Sequence, residues 1–273
     1  MSKKSQYRFC VGPWNFSQGQ DPYGPTVRRE ESFDWKLAQL KTLGFDAMMF
    51  HDDDAVPDID SKTPKQVLQE AKALKKRLDN EGIAAEMVAP RLWFAPQTID
   101  GGYTSNDPKQ RRYAIDRSRQ SIDIANELGT DILVLWLARE GTYLRESKSG
   151  ARSTELLVEA FDAMLKHDKK IRLAIEPKPN EPMDHAYLPT TGHALAIANG
   201  YGKKGEFVCF DVHPFRTTSE KQWLAHLANS RRTFEHLLAK AKSYPEKEAA
   251  QLIAARNYQD LDQLVLEHLL GVR

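Results

Sequence analysis

Residues 175–182 read Ile-Glu-Pro-Lys-Pro-Asn-Glu-Pro and set a carboxylate and an amine two positions apart at the end of an apolar run, 171–175. Side chains alternate along a strand, so Glu176 and Lys178 can face one site. Three prolines forbid continuation as helix or central strand and leave the pair on a stiff exit loop. A second apolar run, 45–50, ends in His51-Asp52-Asp53-Asp54. There His51 and Asp53 share a face, and Asp54 is near enough to orient the imidazole. A carboxylate bonded to one ring nitrogen fixes the tautomer and raises the basicity of the other, as a proton-transferring histidine requires. Taken singly, each motif also admits a plainer reading: a solvated Glu-Lys pair, and an acidic turn with an exposed histidine.

Six short apolar runs read as buried parallel strands: 7–11, 45–50, 83–88, 132–136, 171–175 and 207–210. Helical periodicity fills 33–43, 63–80, 107–128 and 154–165, and the first three of these segments stop at Gly44, Gly82 and Gly129, residues suited to a left-handed cap. Strand-helix alternation with functional groups at strand C-termini predicts a TIM-type (β/α)8 barrel, which places its chemistry on that face. Such a barrel closes with eight strands, whereas about six are legible, so the expectation is an incomplete barrel over 1–218. Residues 219–273 read as a helical segment that packs on the barrel or on a partner subunit. Helix-like residues 192–198 run through Asn199-Gly200-Tyr201-Gly202-Lys203-Lys204-Gly205 into the next strand and leave no room for a further unit. Strand edges left open in this way must be covered, paired with another chain, or prone to aggregation.

Thirty-nine basic residues against 38 acidic give a net charge of +1, so no global field draws in nucleic acid or an anionic membrane. A small neutral substrate suits this balance. Cys10 and Cys209 lie in apolar runs, as reduced core cysteines do, and no disulfide framework is expected. The N-terminus lacks an apolar signal segment and no run of 18 apolar residues occurs, so a cytoplasmic location is expected.

Seven blocks together resemble the xylose isomerase family of aldose-ketose isomerases. They are PWNF around Trp14, FHDDD at 50–54, GGYTSND with RRYAI at 101–115, LVLW with REG at 133–141, IEPKPNEP at 175–182, LPTTGHA at 188–194 and CFD at 209–211. The resemblance implies a TIM barrel that interconverts D-xylose and D-xylulose, and acts on D-glucose as a related sugar, by metal-assisted ring opening and a 1,2-hydride shift. By the same resemblance His51, oriented by Asp54, moves protons at the anomeric oxygens, and Lys178 holds the carbonyl oxygen. Glu176 and Asp211 match two carboxylates that coordinate a divalent ion, Mg2+ or alternatively Mn2+ or Co2+, whose hard oxygen ligands suit exchange of water for sugar. Trp14, Trp93 and Trp136 match aromatic positions that bind substrate and exclude water. Tyr23 matches an aromatic that reaches into a neighbouring subunit's pocket, which implies a homo-oligomer, a dimer or tetramer.

The chain departs from the family's pattern in lacking two internal β/α units. Those segments supply a metal-bridging glutamate, a histidine and three aspartates, so only Glu176 and Asp211 can be matched among the ligands of the paired site. Ala89 stands where many relatives carry a threonine. His213, two residues past Asp211, reads either as a substitute ligand or as a structurally bonded histidine, and Asp260 and Asp262 read as solvated charges. A rival reading is therefore a non-catalytic, internally deleted relative that binds sugar or metal weakly or serves in oligomerisation. An epimerase or a nuclease on a related barrel fits the charge balance and the Glu176/Lys178 and His51/Asp54 pairs less well.

Overall fold

In a computed structural model, the structure describes residues 8–19, 25–180, 182–201 and 219–272. The chain divides into two compact units, one formed by 1–17 with 30–210 and the other by 18–29 with 211–273.

The first unit alternates strand and helix in the order β1 (Cys10–Val11), α1 (Phe33–Thr42), β2 (Ala47–His51), α2 (Asp52–Ala55), α3 (Pro64–Glu81), β3 (Ala84–Ala89), α4 (Pro108–Leu128), β4 (Ile132–Trp136), β5 (Gly141–Thr142), α5 (Gly150–His167), β6 (Arg172–Glu176), β7 (His185–Ala186) and α6 (Thr191–Gly200). Strands β1, β2, β3, β4 and β6 form one sheet in that order, and every neighbouring pair is parallel. Consecutive parallel order with a helix between neighbours is the winding of a TIM-type barrel, not of a doubly wound sheet, whose order reverses. The sixth expected strand, 207–210, lies outside the described residues. An element not expected from the sequence is the antiparallel pair β5 and β7, with Gly141 opposite Ala186. Gly141 is required there, since a Cβ on it would sit 2.6 Å from the His185 carbonyl oxygen.

The helices start and stop where local chemistry dictates. Thr63 and Gln66 exchange bonds across the first turn of α3, with Gln66 Oε1 accepting the Thr63 N–H at 2.9 Å, and Pro64 fills the first helical position. Asp107 caps α4 by accepting the Lys109 N–H at 2.8 Å. Gly44, Gly82 and Gly129 take φ of 72, 69 and 83°, as the sequence predicts for the residues that end α1, α3 and α4. Helix α5 begins at Gly150, earlier than the periodicity suggests, because Ser149 caps it by accepting the Arg152 N–H.

Alternation along the strands sorts their side chains. Met48, Phe50, Leu133 and Leu135 are buried at 0–1 % exposure on one face. On the other face Met49, Met87, Ala89 and Ile132 cluster, with Cys10, Trp14, Val134 and Ala174 packed against them. By period two His51, Trp136 and Glu176 share that second face, one or two steps beyond it at the C-terminal ends.

The second unit holds α7 (Glu220–Lys242), α8 (Glu246–Ala254) and α9 (Tyr258–Leu270). The single helical run expected over 219–270 is broken twice. Pro245 lacks the N–H that continuation would need, and Arg256 turns to a φ of 56° before Asn257 caps α9. Trp223 on α7 is buried, with the Arg28 guanidinium 5.2 Å from its ring centre. Asp260 and Asp262 are exposed on α9, as expected of solvated charges.

Candidate functional site

At the end of β2 the chain passes straight into the one-turn helix α2, and Asp54 explains the turn. From the third helical position its Oδ2 reaches back to accept the His51 backbone N–H at 3.2 Å and lies 2.8 Å from His51 Nδ1. Asp52 faces the opposite way and is completely buried. It accepts Arg117 Nε and Nη2 at 2.5 and 3.0 Å, Ser121 Oγ at 3.0 Å, and the backbone N–H groups of Asp53 and Arg91 at 2.9 and 3.0 Å. Burial works against the Arg117 charge, but the Asp52 carboxylate overcomes it and holds the guanidinium above its ordinary value. Asp52 thus ties α2, α4 and the loop after β3 to one point.

Arg91, on that loop, closes the group. Its Nε donates to Asp53 Oδ1 at 2.7 Å, its Nη2 donates to Asp54 Oδ1 at 2.9 Å, and Nη2 also lies 2.6 Å from His51 Nδ1. A guanidinium only donates, so Nδ1 cannot both give a proton to Asp54 and accept one from Arg91. We assign the Nδ1 proton to Asp54, because Arg91 Nη2 then still has Asp54 Oδ1, whereas the reverse leaves Oδ2 with the backbone N–H alone. Burial tends to raise Asp54, but the bonds from His51 and the charge of Arg91 outweigh it and hold the carboxyl below its ordinary value. Asp53 moves the other way: burial pushes it up, Arg91 only partly offsets this, and the neighbouring carboxylates add to the rise.

Aromatic rings flank His51 on two sides. The Trp14 ring centre is 4.2 Å away and that of Trp93 is 5.0 Å away. Trp93 meets Trp136 edge-on at 4.4 Å, and Lys178 Nζ stands 5.2 Å from the Trp136 ring centre. Glu176 pairs with Trp136 across β4 and β6 in the sheet register, and Ala89 pairs with His51 across β2 and β3. Trp14, His51, Asp54, Trp93, Trp136, Glu176 and Lys178 therefore all belong to the C-terminal end of one sheet. Asp211, His213 and Tyr23 lie outside the described residues.

A second buried carboxylate supports the rim. Glu140 Oε1 accepts the N–H groups of Gly102 and Tyr103 at 2.8 and 3.0 Å, while Oε2 accepts Thr104 N–H and Oγ1 at 2.9 and 2.6 Å. Its complete burial nevertheless holds the carboxyl above the ordinary value. Glu140, Trp93 and Trp136 line one small cavity.

The described residues do not amount to a divalent-metal centre. His51, Asp53 and Asp54 bring ligand atoms within 4.8 Å of one another, but the Arg91 guanidinium already pairs with both carboxylates of that cluster. Glu176 is a single hard donor at the end of β6, and a magnesium-like ion wants several. Sequence reasoning missed Arg91, Asp52 and Glu140. Arg91 had a signal, standing two residues past the end of β3 beside Trp93; the partners of Asp52 and Glu140 are about 36 to 69 positions away in sequence and leave no local trace.

One family model, described as xylose isomerase-like TIM barrel, matches residues 37–243. Among solved structures, the chain is similar to a protein from Sinorhizobium meliloti 1021 at 21% identity and a TM-score of 0.46, covering 70% of this chain and 58% of that one. It is similar to an L-ribulose 3-epimerase at 17% identity and a TM-score of 0.49, covering 72% and 57%. A third similarity is to the IolI protein with a bound zinc atom, at 13% identity and a TM-score of 0.49, covering 72% and 60%. The chain thus spans less than two thirds of each of these proteins, and likenesses at this level carry no argument about activity. Among the described residues no helix is long and apolar enough to cross a membrane.

Proposed function

Since the chain belongs to the xylose isomerase-like TIM barrel family, we propose that it handles a small sugar at the C-terminal ends of its strands, with His51 as the proton-transferring group. The observation that carries this reading is the 2.8 Å contact between Asp54 Oδ2 and His51 Nδ1, set between the rings of Trp14 and Trp93. With the Nδ1 proton directed at Asp54, Nε2 keeps a lone pair and acts as a base. Ring opening then balances within the substrate. His51 Nε2 takes the proton of the anomeric hydroxyl, the bond from the anomeric carbon to the ring oxygen breaks as the carbonyl forms, and the same proton passes to the ring oxygen. Indole faces suit the C–H surface of a sugar and keep water from the reacting atoms.

The finer reading is interconversion of D-xylose and D-xylulose. In it Lys178, held near Trp136, donates to the carbonyl oxygen of the open chain. A requirement for Mg2+, Mn2+ or Co2+ belongs to the same reading and rests on Glu176 together with Asp211, as does a homo-oligomer built through Tyr23. A second reading, sugar binding without turnover in a shortened relative, is favoured because the one group of three ligand residues that gathers among the described residues, His51, Asp53 and Asp54, already has Arg91 paired to both of its carboxylates.

Conversion of D-xylose to D-xylulose by the purified chain, with excess Mg2+, Mn2+ or Co2+ and with His51→Asn and Glu176→Ala beside it, tests both. Turnover lost in His51→Asn supports the isomerase. A folded chain that binds D-xylose but never converts it supports the second reading, and one that neither binds nor converts any aldopentose removes the sugar proposal.

A further inference from the structure

Among the described residues, the metal-ligating group at the site, His51, Asp53 and Asp54, is the one whose ligand atoms gather within 4.8 Å of one another. A cation already stands there. We propose that Arg91 is the resident cation of this cluster: it positions the His51–Asp54 pair and keeps divalent ions out.

Arg91 touches all three members, at 2.7 Å to Asp53, 2.9 Å to Asp54 and 2.6 Å to His51. It is held from both ends. Its backbone N–H is fixed on the buried Asp52 at 3.0 Å, and its guanidinium lies 5.8 and 6.0 Å from the ring centres of Trp93 and Phe94. A side chain anchored at its root by a buried carboxylate and along its plane by two aromatic rings has little freedom to swing aside for an incoming ion. Two carboxylates and one guanidinium leave this cluster a single net negative charge with His51 neutral. A divalent ion would therefore meet weak attraction from the whole group and direct repulsion from Arg91 within a few ångström. It would also have to break both Arg91–carboxylate bonds, leaving the guanidinium beside the rings of Trp93 and Phe94 alone. The placement also gives the site its own positive charge. Arg91 Nη1 makes no bond among the described residues, and it is available as a donor to a substrate oxygen; that last clause rests on the sugar reading, whereas exclusion of metal does not.

The test is Mn2+ titrated into the full chain labelled with 15N-histidine, read as paramagnetic broadening of the His51 ring signals, which His51→Asn assigns. In the wild type these signals are expected to survive concentrations that erase them in Arg91→Met, with the ion binding Arg91→Met about 100-fold or more tightly. Arg91→Lys keeps the charge and is expected to resemble the wild type. Equal broadening in wild type and Arg91→Met overturns the proposal, as does Arg91→Lys behaving like Arg91→Met. If Arg91→Met does not fold, wild type and Arg91→Lys decide alone: broadening of His51 by micromolar Mn2+ in either overturns it, and its absence in both upholds it. All of these titrations are made in a Glu176→Ala background, so that an ion held at Glu176 does not broaden His51 from there, and with no sugar present the result is independent of whether the chain is an isomerase.

Discussion

Replacing Asp52 with alanine removes an acceptor that takes five hydrogen bonds at 0% exposure. Arg117 keeps Asp60 at 2.9 Å and the Tyr113 hydroxyl at 3.1 Å through Nη1, but its Nε and Nη2 lose their partner where the side chain is 5% exposed. Stripping one member from a buried ion pair costs about 3–5 kcal/mol. The Asp60 contact survives but is half-exposed, so it only moderates the loss, and the lower end of that range, about 3 kcal/mol, is expected. For a unit of this size that corresponds to a fall in Tm of about 6–12 °C. Thermal unfolding followed by circular dichroism measures it, with Asp52→Ala, Arg117→Met and the double variant side by side. The double variant leaves neither charge alone and should recover at least half of the loss. Because Asp52 also fixes the Arg91 backbone, the His51 ring signals should move in Asp52→Ala as well. A melting point within about 2 °C of the wild type refutes the reasoning, since it would mean that the pair is solvated or not formed.

Further perturbations test other parts of the account. Asp54 is held below its ordinary value of 3.8, so near and below that pH the folded state binds fewer protons than the unfolded state. Its contribution is therefore present above pH 3.8 and is lost as pH falls through the lower folded value; Asp54→Asn should flatten that part of an acid-denaturation curve, and an unchanged slope would count against the His51 contact. Trp93, 3% exposed and in contact with His51 and Trp136, should cost about 3–5 kcal/mol on truncation to alanine, read by urea denaturation, and the variant should lose D-xylose binding if the indole lines the sugar site. Gly82 sits at φ 69° with open space where a Cβ would go, so Gly82→Ala should cost about 1 kcal/mol from backbone strain alone. A neutral result there would show that the cap relaxes.

Among the described residues, the strand positions and the residues at their ends were legible because local signals agree. β4 matches its apolar run residue for residue, and β6 is shifted by one, which brings Glu176 inside the strand rather than after it. Glycine caps fixed the ends of α1, α3 and α4. His51-Asp54 could be read because the bond spans three residues; the tryptophans at 14, 93 and 136 could be named, but not that Trp14, tilted, and Trp93, edge-on, both pack against one histidine. What escaped is non-local. Asp52 looks like its acidic neighbours, and nothing near it reveals Arg117 and Ser121 across 65 and 69 positions. Glu140 is buried because three consecutive N–H groups at 102–104 converge on it, a backbone arrangement without a side-chain signature. Arg91 could have been suspected beside Trp93, but its grip on both Asp53 and Asp54 follows from the register of β2 and β3, in which His51 lies opposite Ala89.

If His51, set by Asp54, moves a proton on a sugar, ring opening shows it before any isomerisation. Exchange between the α and β anomers of D-xylose labelled with 13C at the anomeric carbon should be followed by magnetisation-transfer NMR at catalytic concentrations of the chain. Faster exchange than in buffer, abolished by His51→Asn and reduced by Asp54→Asn, is the predicted result. Exchange at the buffer rate with a folded, sugar-saturated wild type, or acceleration that survives His51→Asn, would contradict the account.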